Sequence, residues 1–317
     1  MTWQAWRVER WRGLDDVPEG FGPSVVTIGV FDGVHAGHQA IVEQLIGTAR
    51  SAGLPAVVIT FDPHPTAVVR PDSQPATLSS LTRRGDLLEE LGVDAMLVLP
   101  FTAERSQQSP EDFVREVLVS HLRAATVVVG SNFRFGHRAR GDLDLLRQRG
   151  AQDGFAVEGI DLVEGMSSTA VRDWLAAGDV EAAARALGRP YRIQGKVIRG
   201  DARGKELGYP TANVQPPAGS ALPADGVYAG ELIADGQRHP AAISVGTNPT
   251  FDGTVRRVEA YVLDRDDLEL YGKDVGVDFI ARLRGMVRFD DVDDLVAQMA
   301  DDVERARAVL TRHSLTE

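Results

Sequence analysis

The chain has 317 residues, with 34 lysines and arginines against 46 aspartates and glutamates (net charge −12), 43% hydrophobic residues and no cysteine. That length suggests two domains, and the apolar fraction is too high for a disordered chain. The missing cysteine excludes disulfide frameworks, thiol nucleophiles, iron–sulfur clusters and cysteine-type zinc sites.

The acidic balance speaks against a nucleic-acid partner, which needs a broad basic surface; phosphorylated small molecules need only a few placed donors. Met1–Arg7 lacks the basic-then-apolar layout of a secretory signal. No run approaches the ~18 apolar residues of a membrane span. Together with the cysteine-free composition this gives the expectation of a cytoplasmic protein.

From Ser24 to Leu187, apolar runs alternate with segments of helical period. Val25–Phe31, Ala56–Phe61, Ala95–Phe101 and Thr126–Gly130 read as strands covered on both faces. Between them His38–Ala52, Leu81–Leu91, Pro110–Leu122 and Gly141–Arg149 read as amphipathic helices, an alternation that predicts a helix-covered parallel sheet. Two further helices follow, Ser168–Ala177 and Val180–Leu187, with Ser167 and Asp179 as caps. At Gly188-Arg-Pro190 the texture changes. Tyr191–Ile198, Gly226–Ala234, His239–Val245, Arg257–Leu263 and Val275–Leu283 read as strands separated by Gly, Pro, Asp and Asn clusters. Pro216–Ala221 reads as a loop. Only Val292–Thr311 returns to helical period, with Leu295, Met299, Val303, Ala306 and Leu310 on one face. The expected division is an α/β half, 1–187, and an antiparallel barrel or sandwich closed by a C-terminal helix, 188–317.

The densest chemistry of the first half is Thr27-Ile-Gly-Val-Phe-Asp-Gly-Val-His-Ala-Gly-His38. A buried strand enters a glycine-containing turn and opens a helix. His35 and His38, three apart, share a face if they sit in the first turn, where unpaired N–H groups and the positive end of the dipole also lie. Gly37 leaves the backbone open to a phosphate. The set reads as a polyphosphate cradle suited to attack at the α-phosphate of ATP, where catalysis is mostly positioning and charge stabilisation. Two structural turn histidines, or a zinc pair lacking a nearby third ligand, are the alternatives.

Phe61-Asp-Pro-His-Pro65 leaves a strand's C-terminal end, where ligands gather in open α/β sheets. Asn132, past the next such end, could bond a base or ribose, and Phe133 and Phe135 could flank a flavin or adenine or simply be core. Ser167-Ser-Thr169 with Arg172 makes either a helix cap with a surface charge or a phosphate clamp. In the second half, Gly195 to Asn213 is rich in glycine and carries Arg203 and Lys205. Thr211 and Asn213 fall on one side of an extended chain and offer hard oxygen ligands for Mg2+ held with ATP phosphates, or else form a turn.

Gly29-Val-Phe-Asp-Gly-Val-His-Ala-Gly-His38 resembles the His-x-Gly-His signature of nucleotidyltransferases. With Thr60-Phe-Asp-Pro-His-Pro65, Gly130-Ser-Asn-Phe-Arg-Phe-Gly136 and Ser167-Ser-Thr-Ala-Val-Arg172 it resembles the adenylyltransferase half of bacterial bifunctional riboflavin kinase/FAD synthetases. Gly195 to Asn213, Gly226-Val-Tyr-Ala229, Gly246-Thr-Asn-Pro-Thr-Phe251, Val258-Glu-Ala-Tyr-Val-Leu-Asp264 and Leu270-Tyr-Gly272 resemble the riboflavin kinase half. The resemblance spans roughly Ser24 to Leu310. It implies a Rossmann-like nucleotidyltransferase domain and a six-stranded antiparallel barrel, which phosphorylate riboflavin to FMN and adenylylate FMN to FAD with ATP and Mg2+.

By that resemblance His35 and His38 orient the ATP phosphates, and Glu259 is the base of the kinase step. Gly29, Phe31, Gly37 and Asn132 contact ATP, while Ser167, Thr169 and Arg172 hold its β- and γ-phosphates. Gly195, Lys196, Gly204 and Lys205 contact the second ATP, and Thr211 and Asn213 hold Mg2+. Phe61, Asp62, His64 and Arg284 contact flavin.

Overall fold

The computed structural model describes residues 8–161, 165–200, 207–250 and 253–315. Gly204 and Lys205 lie outside the described residues. Packing divides the chain into two compact units, Met1–Pro75 with Ser80–Met166, and Ala76–Ser79 with Ser167–Glu317.

The first unit is built on a parallel sheet of β1 (Glu9–Arg12), β2 (Ser24–Ile28), β3 (Ala56–Asp62), β4 (Ala95–Pro100), β5 (Ala124–Gly130) and β6 (Ala156–Ile160). Their order is β1-β4-β3-β2-β5-β6, with every pairing parallel. The four strands read from sequence are the inner four. Each is apolar at successive positions because helices cover both of its faces. On one face α1 (Ala36–Ala52) brings Ile41, Val42, Leu45 and Ala49, and α3 (Leu81–Leu91) brings Leu87 and Leu88, against Val25, Val58 and Met96. The short α2 (Pro65–Val69) and α4 (Ala103–Ser106) occupy loops after β3 and β4. On the other face, α5 (Pro110–Phe113) continues into a π-helical segment, Val114–His121. Its Val114, Val117 and Leu118, with Leu146 of α6 (Leu143–Asp153), pack on Val26, Ile28, Val57 and Leu97. The sheet grows from β2 toward β3 and β4 on one side and toward β5 on the other. The loops leaving β2 and β5 therefore diverge at the crevice where open α/β sheets bind ligands.

In the second unit α7 (Ser168–Ala177) and α8 (Val180–Leu187) precede β7 (Tyr191–Ile198), β8 (Thr211–Gln215), β9 (Gly226–Ala234), β10 (Gln237–Thr250), β11 (Gly253–Val262) and β12 (Asp274–Arg284). These six strands close a barrel in the order β10-β11-β8-β7-β12-β9, all antiparallel. A barrel, not an open sandwich, is thus the outcome between the two forms the pattern allowed. Alternate residues fill it: Tyr191, Ile193, Val197, Val214, Tyr228, Leu232, Ile243, Val258, Val277 and Phe279 are all buried. On its outside α9 (Val292–Ser314) lays Ala306 and Leu310 against Ala229, Leu263 and Ile280.

Candidate active sites

The turn between β2 and α1 is held in an unusual shape. Phe31 (φ 52°), Gly33 (φ 81°) and Val34 (φ 43°) all occupy left-handed backbone. For a bulky or β-branched residue that costs on the order of 1–3 kcal/mol. Phe31 and Val34 are each 1% exposed, and burying such side chains returns roughly 1.5–3 kcal/mol apiece. The turn is therefore pinned by its own apolar residues against the sheet. It delivers His35 to the N-cap of α1, where the imidazole makes no capping bond. The other long helices are capped conventionally, by Ser80, Asp142, Ser167, Asp179 and Asp291. The start of α1 thus has no side-chain cap, the condition in which helix starts accept anions.

His35 and His38 stack with ring centroids 3.7 Å apart, sharing a face as their spacing predicts, and Phe31 flanks His38 at 5.0 Å. Gly37 sits tightly against this stack. A Cβ there would stand 3.2 Å from His35 Cε1 and 3.3 Å from the Met166 carbonyl, so a side chain would ask the imidazole to give by a few tenths of an ångström. Gly29 follows β2 beneath the Phe31 ring.

His38 is half-buried as a residue, but its Nδ1 is enclosed and has no hydrogen-bond partner. Burial, then the charge of His35 and that of Arg84, hold its pKa well below the ordinary 6.5. The ring is consequently neutral at neutral pH. Unfolding restores the ordinary value, so in acid the unfolded chain takes up a proton that the folded one refuses. Stability present above about pH 6.5 is lost as pH falls toward the lower folded value. In chemical denaturation at pH 7.5 and pH 5, the wild type should lose more stability over that interval than His38→Gln, which has nothing to protonate.

At the C-terminal ends of β2, β3, β4 and β5 lies a cavity of about 1040 Å³, at the upper end of small-molecule pockets. Phe61, Phe101, Phe113, Phe133 and Phe135 line it, together with His64, Arg70, Arg105, Arg134 and Arg138. Not one aspartate or glutamate is among the lining residues, although the chain carries −12 overall. Such a wall suits a flat aromatic anion. His64 Nδ1 accepts from Thr66 N at 3.1 Å, capping α2 and fixing the ring. Phe133 and Phe135 stack at 5.4 Å; both line the cavity, Phe135 buried in the core behind it and Phe133 half-buried. Asp62 is exposed at the end of β3, and Asn132 is exposed beside Phe133. Phe101 and the four arginines are missing from the sequence assignment. The position of Phe101 just after a central strand was the available signal for it.

Ser167 caps α7, accepting from Ala170 N at 3.1 Å, and Arg172 Nε donates to the Ala76 carbonyl at 2.6 Å. Thr169 is exposed in the first turn of that helix.

On the barrel, Ala212 and Val214 are buried while Thr211 and Asn213 stand half-exposed on the outer face. Asn213 lies opposite Glu259, and Thr211 opposite Tyr261, in the β8–β11 ladder. Ser244 of β10 stands on the far side of Glu259. Directly opposed residues share a face, so a hydroxyl, an amide and a carboxylate converge on one outer wall. Gly200 faces the Asn213 amide so closely that a Cβ there would overlap it. Arg256 forks onto Asp225 at 2.9 and 2.7 Å, so it is not a simple surface partner for Glu259. Lys196 is exposed opposite Gln215, while Gly195 lies 2.5 Å, by its would-be Cβ, from the Gln215 carbonyl. Arg284 closes a bidentate pair with the buried Asp302 of α9 at 2.6–3.0 Å, which ties β12 to that helix.

Among the described residues no cluster of three or more His, Asp or Glu is arranged to hold a metal. The neutral oxygens of Thr211 and Asn213 do fit Mg2+, which keeps waters and takes substrate phosphates in place of a full protein cage.

A helix start without a side-chain cap at the switch point of a parallel sheet, followed along the chain by a barrel bearing a carboxylate beside two hard oxygen donors, fits a transferase with two sites. Comparison with known proteins resolves the class. The model of the FAD synthetase family matches residues 18–171, and that of the riboflavin kinase family matches 187–310. The bifunctional riboflavin kinase/FMN adenylyltransferase of Escherichia coli K12 is 38% identical over 288 residues, covering 89% of this chain and 91% of that protein. The protein of the same name from Pseudomonas fluorescens is 38% identical over 94% of this chain and 96% of its own length. A crystal structure of a Streptococcus pneumoniae protein named for macrolide efflux superposes with a TM-score of 0.85 at 31% identity, over 95% of this chain and 99% of that one. In the present chain no described helix is long and apolar enough to cross a membrane. The chain belongs to the bifunctional riboflavin kinase/FMN adenylyltransferase family.

Proposed function

We propose that the two halves, 1–187 and 188–317, act in series on one flavin. In the second half the 5′-hydroxyl of riboflavin attacks the γ-phosphorus of ATP, giving FMN and ADP. Glu259 takes the hydroxyl proton, and Thr211 and Asn213 hold Mg2+. Lys196, with Gly195, Gly204 and Lys205, contacts this ATP, while Arg284 and α9 border the flavin. In the first half an FMN phosphate oxygen attacks the α-phosphorus of a second ATP. The α–β bridge breaks, and FAD and pyrophosphate result. His35 and His38 meet the phosphate charge at the start of α1 with Gly29, Phe31, Gly37 and Asn132, and Ser167, Thr169 and Arg172 hold the departing pyrophosphate. The flavin ring lies in the phenylalanine-lined cavity with Phe61, Asp62 and His64. When bound, Mg2+ offsets triphosphate charge while that charge redistributes. Both steps draw on ATP, which supports a cytoplasmic location.

The observation that carries this reading is that one chain holds both family halves in order, each with its own constellation of donors. The test is to incubate the purified chain with riboflavin, ATP and Mg2+ and to separate the flavins over time. FMN should appear first and FAD after it. A chain that converts neither riboflavin nor added FMN overturns the proposal.

A further inference from the structure

We infer that Arg84 is the positioning residue of the adenylyl-transfer site, clamping the β2–α1 turn in its strained form so that His35 and His38 meet the triphosphate of ATP. The inference rests on the assignment of that pair to ATP. Arg84 projects from α3 and is only 4% exposed. It donates to Thr60 Oγ1 at 3.0 Å, and the same hydroxyl gives its hydrogen to the Val30 carbonyl at 2.8 Å. Its second terminal nitrogen stands 3.6 Å from Asp32 Oδ1, and Asp32 is 2% exposed. One guanidinium therefore grips the turn at two points, Val30 through Thr60 and Asp32 through its carboxylate. The left-handed Phe31 lies between those points, and the left-handed Gly33 and Val34 directly follow.

Three considerations favour a role in positioning over one in bulk stability. A buried ion pair is a poor source of stability compared with apolar residues of the same volume, and α3 already presents Leu87 and Leu88 to the core. Left-handed backbone at phenylalanine and valine persists only where surroundings over-determine it. The tie comes from α3, an element separate from the turn, so it fixes the turn relative to the sheet and not only within itself. The planar fork matters as well, since a lysine ammonium is a point charge and cannot span two partners in this way. Arg84 also works with burial and His35 to keep His38 neutral, while Asp32 and Asp62 act on Arg84 itself.

The test uses the full chain, whose kinase activity serves as an internal control. Arg84→Met should lower kcat for FMN adenylylation by about 100-fold, the scale of an ångström-level misplacement, with riboflavin phosphorylation within about twofold of wild type. Arg84→Lys, which keeps the charge and loses one of the two contacts, should fall by only about tenfold. In Arg84→Met the His38 ring resonance should titrate at higher pH than in wild type, because a positive neighbour has gone. The positioning role itself is read from the kinetic constants, kcat falling while KM for ATP changes little. If Arg84→Met does not fold, Thr60→Val, which cuts one tie and keeps the arginine, should lose about fivefold in kcat. Folded Arg84→Met or Thr60→Val with wild-type kcat overturns the inference, as does a raised KM for ATP with kcat preserved. A wild-type chain that makes no FAD from FMN would instead sink the assignment of the site.

Discussion

His38→Ala should lower FAD formation from FMN and ATP by about 10³-fold, the scale of deleting one donor to developing transition-state charge. FMN formation from riboflavin should remain within about twofold of wild type. The first expectation follows from where the ring sits. It stacks on His35 over an uncapped helix start and is held neutral by enclosure, so it can donate to a phosphate oxygen at no protonation cost. An arriving triphosphate opposes the effects that lower its pKa, so the imidazole can also become cationic as charge builds on the leaving pyrophosphate. The second expectation follows from the barrel, whose own donors Thr211, Asn213 and Glu259 lie on a single wall. The two rates can be read in one preparation by supplying FMN or riboflavin separately. Loss of both products from folded protein would show that the two steps do not divide as proposed.

The fold was legible wherever burial was complete. The four inner strands of the sheet carry continuous apolar runs because they are covered on both faces. α7, α8, β7 and β9 begin and end where caps, glycines and strand composition place them. The edge strands were not legible: β1 reads Glu-Arg-Trp-Arg and β6 reads Ala-Val-Glu-Gly-Ile, with exposed positions in both. A parallel edge strand has one solvated side, and its charges make it look like loop. Pro210–Asn213 reads from sequence as either an extended segment or a turn, since the five residues of Thr211–Gln215, with two buried positions, give too short a period to distinguish the two.

The site was legible as chemistry more than as geometry. The spacing of His35 and His38 predicts a shared face, and the rings do stack. That Gly37 packs closely against His35 emerges only from the distance between them. Arg84 and Asp32 gave no signal, because an arginine within an amphipathic helix reads as solvent-facing until the helix's orientation is known. The same holds for Asp302 on α9. It interrupts the apolar stripe read from Leu295 to Leu310, and the fold buries it against Arg284. Four arginines gathered around the cavity come from three separate loops, a convergence that no sequence window contains.

Glu259→Gln should lower kcat for riboflavin phosphorylation by about 10³-fold, within the range that general-base catalysis supplies, and leave FAD formation from added FMN intact. Glutamine keeps the size of the side chain and its place in the ladder between Asn213 and Ser244, so the barrel wall should be undisturbed. What disappears is the ability to accept a proton from the primary hydroxyl as it attacks the γ-phosphorus. That need arises in the transition state and hardly at all in the bound ground state, so KM for ATP should change little while kcat falls. The opposite pattern, a raised KM with kcat preserved, would move Glu259 from proton acceptor to nucleotide binding. Unchanged kinetics would make it an ordinary strand residue, and the base would have to be sought elsewhere on the same outer wall. Because phosphoryl transfer asks the protein mainly for positioning and charge stabilisation, a residual rate supported by Thr211 and Asn213 alone is expected in the variant. Removing magnesium with a chelator should abolish even that residue.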